Sequence, residues 1–334
     1  MLDGMTERTR FLAIGALTIV LIATCQEAAQ AQMVPGTGTL LNSDDFEDES
    51  WNFSFNLPKS SKEEDEQIRY PLGASANGMW MESPKRGVPD QVQRIATPAG
   101  GLEGSKGALM LRTRDTGIPG HPMSKQCQDD FILKARPVSL SYTPNFVVRV
   151  FLPQWDQWEQ RHGVSFGIRV GMQGPQEKQE PVRGFKKLFG RGFETVTSTE
   201  PYYPGFFIQF NPKTAQNPEP HAVLLVRADE MGHDIPSKNI KTPGWWTFGM
   251  SITSDGRCHY YAKSGVGDLT SADYITSTLP YGIRGTYFNT IFFNVCSADN
   301  GRSWSTPWVI DDPKVYYGGQ PSQFVQQPNR MYRR

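Results

Sequence analysis

The chain has 334 residues, with 34 Lys+Arg against 34 Asp+Glu, 38% hydrophobic residues and 20% charged ones. That apolar fraction is enough to bury one sizeable core, and the zero formal charge excludes a generic nucleic-acid binder, which carries a strongly basic domain. With 32 glycines, 25 prolines and 12% aromatics, the composition also disfavours a helical bundle or coiled coil.

The N-terminus reads as an address. Arg8 and Arg10 precede an apolar run from Phe11 to about Ala23, and Ala29-Gln30-Ala31 places small residues before a cut at Gln32. This is the order of a secretory signal peptide over residues 1–31, and its apolar run is shorter than the roughly 20 residues a spanning helix needs. The sequence therefore predicts a secreted, periplasmic or cell-surface protein with no transmembrane segment in the mature chain. Lipid anchoring at Cys25, from Ile22-Ala23-Thr24-Cys25, is the weaker alternative, because Thr is unusual just before a lipidated Cys. The mature chain keeps Cys127, Cys258 and Cys296. A Cys258–Cys296 bridge and buried free thiols both remain open, and no CxxC or Cys/His cluster marks a zinc site.

Acids gather early: residues 41–70 hold nine acids against three bases. Weak strand signals lie near 39–47, 77–82 and 91–96. Stronger ones recur near 107–113, 129–134, 145–152, 164–172, 205–211, 221–227, 245–252, 257–263, 286–296 and 308–317. They are short, alternating and separated by Gly, Pro, Asn and Asp clusters, which is the pattern of an all-β antiparallel sandwich or barrel. A short helix is expected at 269–277, capped by Thr270 or Ser271. The Gly-, Pro- and charge-rich stretch 173–204 reads as a long loop excursion, and 319–334 as a disordered tail. Between the signal peptide and that tail, 32–318 is expected to form one domain that includes the excursion.

Three segments carry a resemblance. "LLNSDDFEDESWN" opens the mature domain, "GWWTFGMSITSDGRCHYYAKSG" lies past the middle and "PWVIDDPKVYY" closes it. In this order they resemble the concanavalin A-like (laminin G-like) jelly rolls of secreted bacterial proteins and carbohydrate-binding modules. The resemblance implies a jelly-roll β-sandwich in which an early strand lies beside the last one. Asp255-Gly256 between alternating runs supports a hairpin there on its own physics.

Alternation separates two faces. Val148, Val150, Phe166, Ile168, Val170, Phe206, Ile208, Phe210, Leu224, Val226, Trp246, Phe248, Met250, Ile252 and Tyr260 fall on core positions. The opposite positions hold Arg149, Arg169, Gln209, Arg227, Thr247, Arg257, His259, Tyr261 and Lys263, cations and hydrogen-bonding groups without a carboxylate. Glycosidases need two carboxylates about 5–10 Å apart, and the E-x-D-x-x-E spacing that supplies them on this fold is missing. "YAKSGV" (Tyr261, Lys263, Gly265) is similar to part of a strand in jelly-roll alginate-lyase-like enzymes. A β-elimination through Arg169, Gln209, His259 and Tyr261, with Arg149 as the other candidate cation, is therefore the alternative activity.

The leading expectation is a non-catalytic glycan-binding or cell-surface interaction protein. Its partner would be a polysaccharide or cell-surface glycan, met by Arg149, Arg169, Gln209, Arg227, His259, Tyr261 and Lys263. Trp155 and Trp158 would stack on sugar rings, and Tyr202-Tyr203 offer a second aromatic pair. No cofactor is called for, apart from a structural calcium on Asp45, Glu47 and Asp311, with Asp44 and Asp312 nearby, if the first and last strands meet. The basic run Arg183–Arg191, with interleaved Phe, is a further candidate contact for an acidic glycan, membrane or partner.

Overall fold

Alternating apolar residues in short runs can bury one side only by pairing into sheets and stacking two of them. The computed structural model describes residues 32–117, 127–181 and 193–318. Residues 1–31 with Cys25, the 183–191 run and residues 319–334 lie outside the described residues.

In chain order come β1 (Thr39–Ser43), β2 (Phe53–Ser54), the one-turn helix α1 (Lys62–Asp65), β3 (Ala74–Ser75), β4 (Trp80–Glu82), β5 (Gln91–Ala96) and β6 (Gly107–Arg112). Next are β7 (Gln128–Leu133), β8 (Val138–Ser139), β9 (Asn145–Leu152), β10 (Gly163–Pro181), β11 (Phe193–Tyr202) and β12 (Gly205–Asn211). The remainder is β13 (His221–Arg227), β14 (Asp234–Ile240), β15 (Gly244–Ile252), β16 (Cys258–Ser264), β17 (Tyr274–Thr278), β18 (Tyr287–Cys296) and β19 (Trp308–Tyr317).

Two antiparallel sheets result. The first runs β17-β16-β15-β9-β19-β6-β5, with β1 added to β19. The second runs β14-β13-β12-β10-β18-β7-β4-β3-β2, with β11 on β10 and β8 on β18. The early strand meets the last one: Thr39 pairs with Tyr317 and Ser43 with Lys314. This is the jelly-roll sandwich that the sequence predicts.

Every residue assigned above to a core position lies in one buried cluster between the sheets. Aromatic rings tie its layers. Trp80 stacks on Phe131 with ring centres 4.5 Å apart, and Phe166 stacks on Trp308 at 4.6 Å. Four residues expected in a helix behave otherwise. Thr270 does cap a turn, with Asp273 closing the capping box, but only Ser271–Asp273 is helical and Tyr274 begins β17. The isolated turn is too short to propagate once Tyr274–Thr278 finds backbone partners on β16.

The described residues of the 173–204 excursion are largely strand rather than loop. β10 extends through Pro181 and pairs with β11, from Met172↔Tyr202 outward. Cys258 and Cys296 are both buried free thiols, and they belong to β16 and β18, in different sheets. Burial pushes the Cys296 thiol up to about 12.

Candidate functional site

The polar side chains that alternation sends away from the core divide between two outer faces. Arg149 on β9, Thr247 on β15, and His259, Tyr261 and Lys263 on β16 belong to the first sheet. Arg169 on β10, Gln209 on β12 and Arg227 on β13 belong to the second. The set Arg169, Gln209, His259 and Tyr261 therefore does not meet in one groove. A period of two tells which side of its own strand a residue takes, but opposite sheets turn those sides in opposite directions.

On the first sheet the polar groups have found partners. Arg149 is 4% exposed; it donates to the Val266 carbonyl at 3.1 Å and to Asp268 at 2.9 Å. Tyr261 is buried against Val147, Leu269, Val34 and Tyr316, and its hydroxyl accepts from the Gln32 amide. Lys263 donates to the Asp268 carbonyl. His259 lies within 3.1 Å of the Thr253 hydroxyl, and burial lowers its pKa. Arg149 thus meets one carboxylate from a loop, Asp268, and a second, Asp312 at 3.6 Å, from the neighbouring strand β19.

On the second sheet the cations meet aromatic rings. Arg169 lies among the rings of Tyr203, Phe207 and Phe292, 5.6, 5.3 and 5.4 Å from their centres, and donates to the Tyr203 carbonyl at 2.7 and 3.2 Å. Burial holds its pKa below the usual arginine range. Phe207 is shared, because Arg227 covers the same ring at 5.0 Å. Arg227 grips Asp234 with two nitrogens at 2.7 and 3.2 Å, and its third donates to the Tyr281 hydroxyl at 2.6 Å. Gln209, partly buried, reaches only Asn211, at 3.5 Å.

Beside Arg227, four separate segments line an open cavity of about 640 Å³. Its walls include Tyr202 and Tyr203 from the end of β11, Glu177 from β10, Glu230 from the β13–β14 turn, and Tyr281 and Arg284 beyond β17. Tyr281 is the keystone. Its backbone N–H donates to the Asp229 carbonyl at 2.8 Å, its ring meets Tyr202 edge-on at 6.0 Å, and its hydroxyl receives Arg227. It holds this place with φ of 61°, a left-handed conformation that costs a non-glycine residue energy. Gly232 makes room: a Cβ there would collide with the Tyr281 ring. The result is a rigid tyrosine wall with a cation behind it and carboxylates at the rim. That volume falls within the range of roughly 300–1,000 Å³ typical of small-molecule sites.

Sequence reasoning marked Tyr202-Tyr203 but not Tyr281, which sits in a Pro-Tyr-Gly turn between strands. The tryptophans go elsewhere. Trp158 is 2% exposed, packs on Phe210 and Trp308 with centres 4.8 Å away, and donates to the Pro153 carbonyl at 2.8 Å. Its ring is core and cannot stack on a sugar. Trp155 is partly buried against the same Phe210.

The acids expected to hold calcium accept hydrogen bonds from their neighbours. Asp45 is exposed and accepts from the Glu47 backbone N–H at 3.1 Å. Glu47 accepts from the N–H groups of Lys106 and Gly107, and Asp311 from the Ser105 hydroxyl at 3.0 Å. Asp44 serves as an acceptor hub for Trp51, Asn77 and Trp80. Among the described residues no three His, Cys, Asp or Glu side chains form a metal set.

Asp311 instead makes stability depend on pH. Burial pushes its pKa up from 3.8 to about 7, with Asp312 and Glu47 adding repulsion. Between about pH 4 and 7 the folded state binds this proton and the unfolded chain does not. Its contribution to stability is thus present below that window and declines as pH rises through it. Asp311→Asn is expected to flatten the fall in Tm across the window; an unchanged slope would contradict the assignment.

Comparison with known proteins places the fold in company without giving a family. No protein-family model matches the chain, and no curated protein does. Solved structures similar to it include sugar-active and carbohydrate-recognising proteins. Alginate lyase Aly36B, a mutant in complex with alginate trisaccharide, is 10% identical over 84% of this chain and 99% of its own, with TM-score 0.42. The carbohydrate recognition domain of Emp47p is 11% identical over 70% and 90%, with TM-score 0.33. The binding domain of Paraclostridial Mosquitocidal Protein 1 is 10% identical over 73% of this chain, with TM-score 0.33, and the chain spans only 45% of that protein's length.

Proposed function

We propose that the protein binds a glycan, without catalysis, in the cavity walled by Tyr202, Tyr203 and Tyr281. The observation that carries this reading is the fixed tyrosine wall beside Arg227. Sugar rings offer apolar C–H faces to aromatic rings and hydroxyls to charged acceptors and donors, and this cavity supplies both kinds of surface. Arg284 suits a carboxylated or sulfated sugar, while Glu177 and Glu230 accept from hydroxyls at the rim.

A lyase would require a base, an acid and a carboxylate-neutralising cation around one sugar. The residues nominated from the sequence for those roles lie in two sheets, so the binding reading is preferred. One experiment separates them. Purified protein is titrated against neutral and uronate polysaccharides while the ultraviolet absorbance of unsaturated uronate is followed. Saturable binding without new absorbance supports the proposal. Release of unsaturated product would replace it with the lyase, and failure to bind any polysaccharide would remove both.

A further inference from the structure

Charges close to the tyrosine cavity are mostly paired. Asp229 meets His233 at 2.7 Å, and Asp234 receives Arg227 at 2.7 and 3.2 Å. Three charged side chains that line the cavity are different. Glu177, Glu230 and Arg284 make no side-chain hydrogen bond or ion pair among the described residues. Two negative charges and one positive charge therefore border the same space.

Glu230 is held in place by the backbone around it. The 229–232 turn and the 280–282 turn are fitted to each other through two glycines. A Cβ on Gly232 would collide with the Tyr281 ring, and one on Gly282 would come within 3.1 Å of Glu230 Cγ and 3.5 Å of its Cδ. Each turn thus leaves room for the side chain that the other presents. The Tyr281 N–H ties the two together by donating to the Asp229 carbonyl at 2.8 Å. The Glu230 carboxylate consequently lies along the Tyr281-Gly282 turn, next to an aromatic ring. Arg227 sits 5.6 Å from the centre of that ring, but Asp234 already matches its charge.

This arrangement discriminates among sugars. A sugar bearing only a carboxylate would satisfy Arg284 and bring like charge to both glutamates. A neutral sugar would match none of the three charges. A protonated amine donates charge-assisted hydrogen bonds to carboxylates and is attracted to the face of a tyrosine ring. We propose that the glycan bound in this cavity carries a free amine, seated beside Glu230 and the Tyr281 ring. The inference rests on the glycan-binding reading above and names the ligand class for that same site. Glu177, on β10, adds a second carboxylate to the cavity. Arg284 takes an acidic group or a ring hydroxyl of the same ligand. N-acetylation would abolish recognition of the amine, because an acetamide keeps one N–H and no charge.

Calorimetric titration with a glucosamine hexamer and with its fully N-acetylated counterpart tests this. The free-amine hexamer is expected to bind about tenfold tighter or more, the effect of one charge-assisted contact. Added salt should weaken its binding far more than that of the N-acetylated hexamer. Glu230→Gln keeps the volume and removes the charge at an exposed position, so folding is not at stake. It should lower affinity for the free-amine hexamer about tenfold and affect the N-acetylated one much less. Equal affinity for the two hexamers overturns this inference and leaves the glycan-binding reading standing, and so does an amine preference that survives Glu230→Gln. Failure of both hexamers and of the neutral and uronate polysaccharides to bind would overturn the inference together with the reading beneath it.

Discussion

Trp80→Ala is expected to lower folding stability by about 3–5 kcal/mol, the range for emptying a buried aromatic site. Trp80 is fully buried on β4, a strand of only three residues. Its ring lies 8° from parallel with Phe131 and contacts Phe46 and Phe293 at 6.2 and 5.9 Å. Removing it opens a cavity that neither sheet can close, because Phe131 and Phe293 are anchored on β7 and β18. A second loss adds to the first, since Trp80 Nε1 donates to Asp44 at 2.8 Å. Trp80→Phe keeps most of the volume and removes that donor, so a smaller cost of about 1–3 kcal/mol is expected. Denaturant unfolding measures both. A cost below about 1 kcal/mol for the alanine variant would mean that the terminal strands of the sheet, β4, β3 and β2, do not unfold with the core.

Tyr281→Gly should remove glycan binding while leaving the fold intact. The ring forms one wall of the cavity and orients Arg227, so its loss should weaken affinity about thirtyfold or more, a typical aromatic hot spot. Glycine is chosen because φ at this position is 61°, which glycine adopts at little cost. Stability should change far less than for a buried tyrosine removed from a relaxed backbone. Tyr281→Phe retains the ring, loses only the hydroxyl that Arg227 engages, and should fall between the two. Calorimetric titration and thermal unfolding on the same samples separate binding from folding. Unchanged affinity in the glycine variant would place the glycan elsewhere.

The legible parts of this protein are those governed by local repetition. Val148 and Val150, Phe206 through Phe210, and Trp246 through Ile252 announce their inward side by alternation, and all lie in the core. Strands 145–152, 205–211, 221–227 and 308–317 begin and end where the pattern does. β14 escaped notice because Asp234–Ile240 contains a proline and no alternation. It is an edge strand, paired on one side only, where the apolar pattern is not demanded. The 269–277 helix failed for the complementary reason: its cap is real, but strand pairing took the residues beyond the first turn.

By itself the sequence determined the class of fold and the side of each strand that faces the core, because a pleated strand reverses its side chains at every residue. Only the tertiary structure decided which outward groups share a surface. His259 and Gln209 look equivalent along the chain yet belong to opposite sheets. Tyr203, Glu230 and Tyr281 look unrelated yet line one cavity. Sheet membership and loop return are set by contacts between residues distant in sequence, and no local period encodes them.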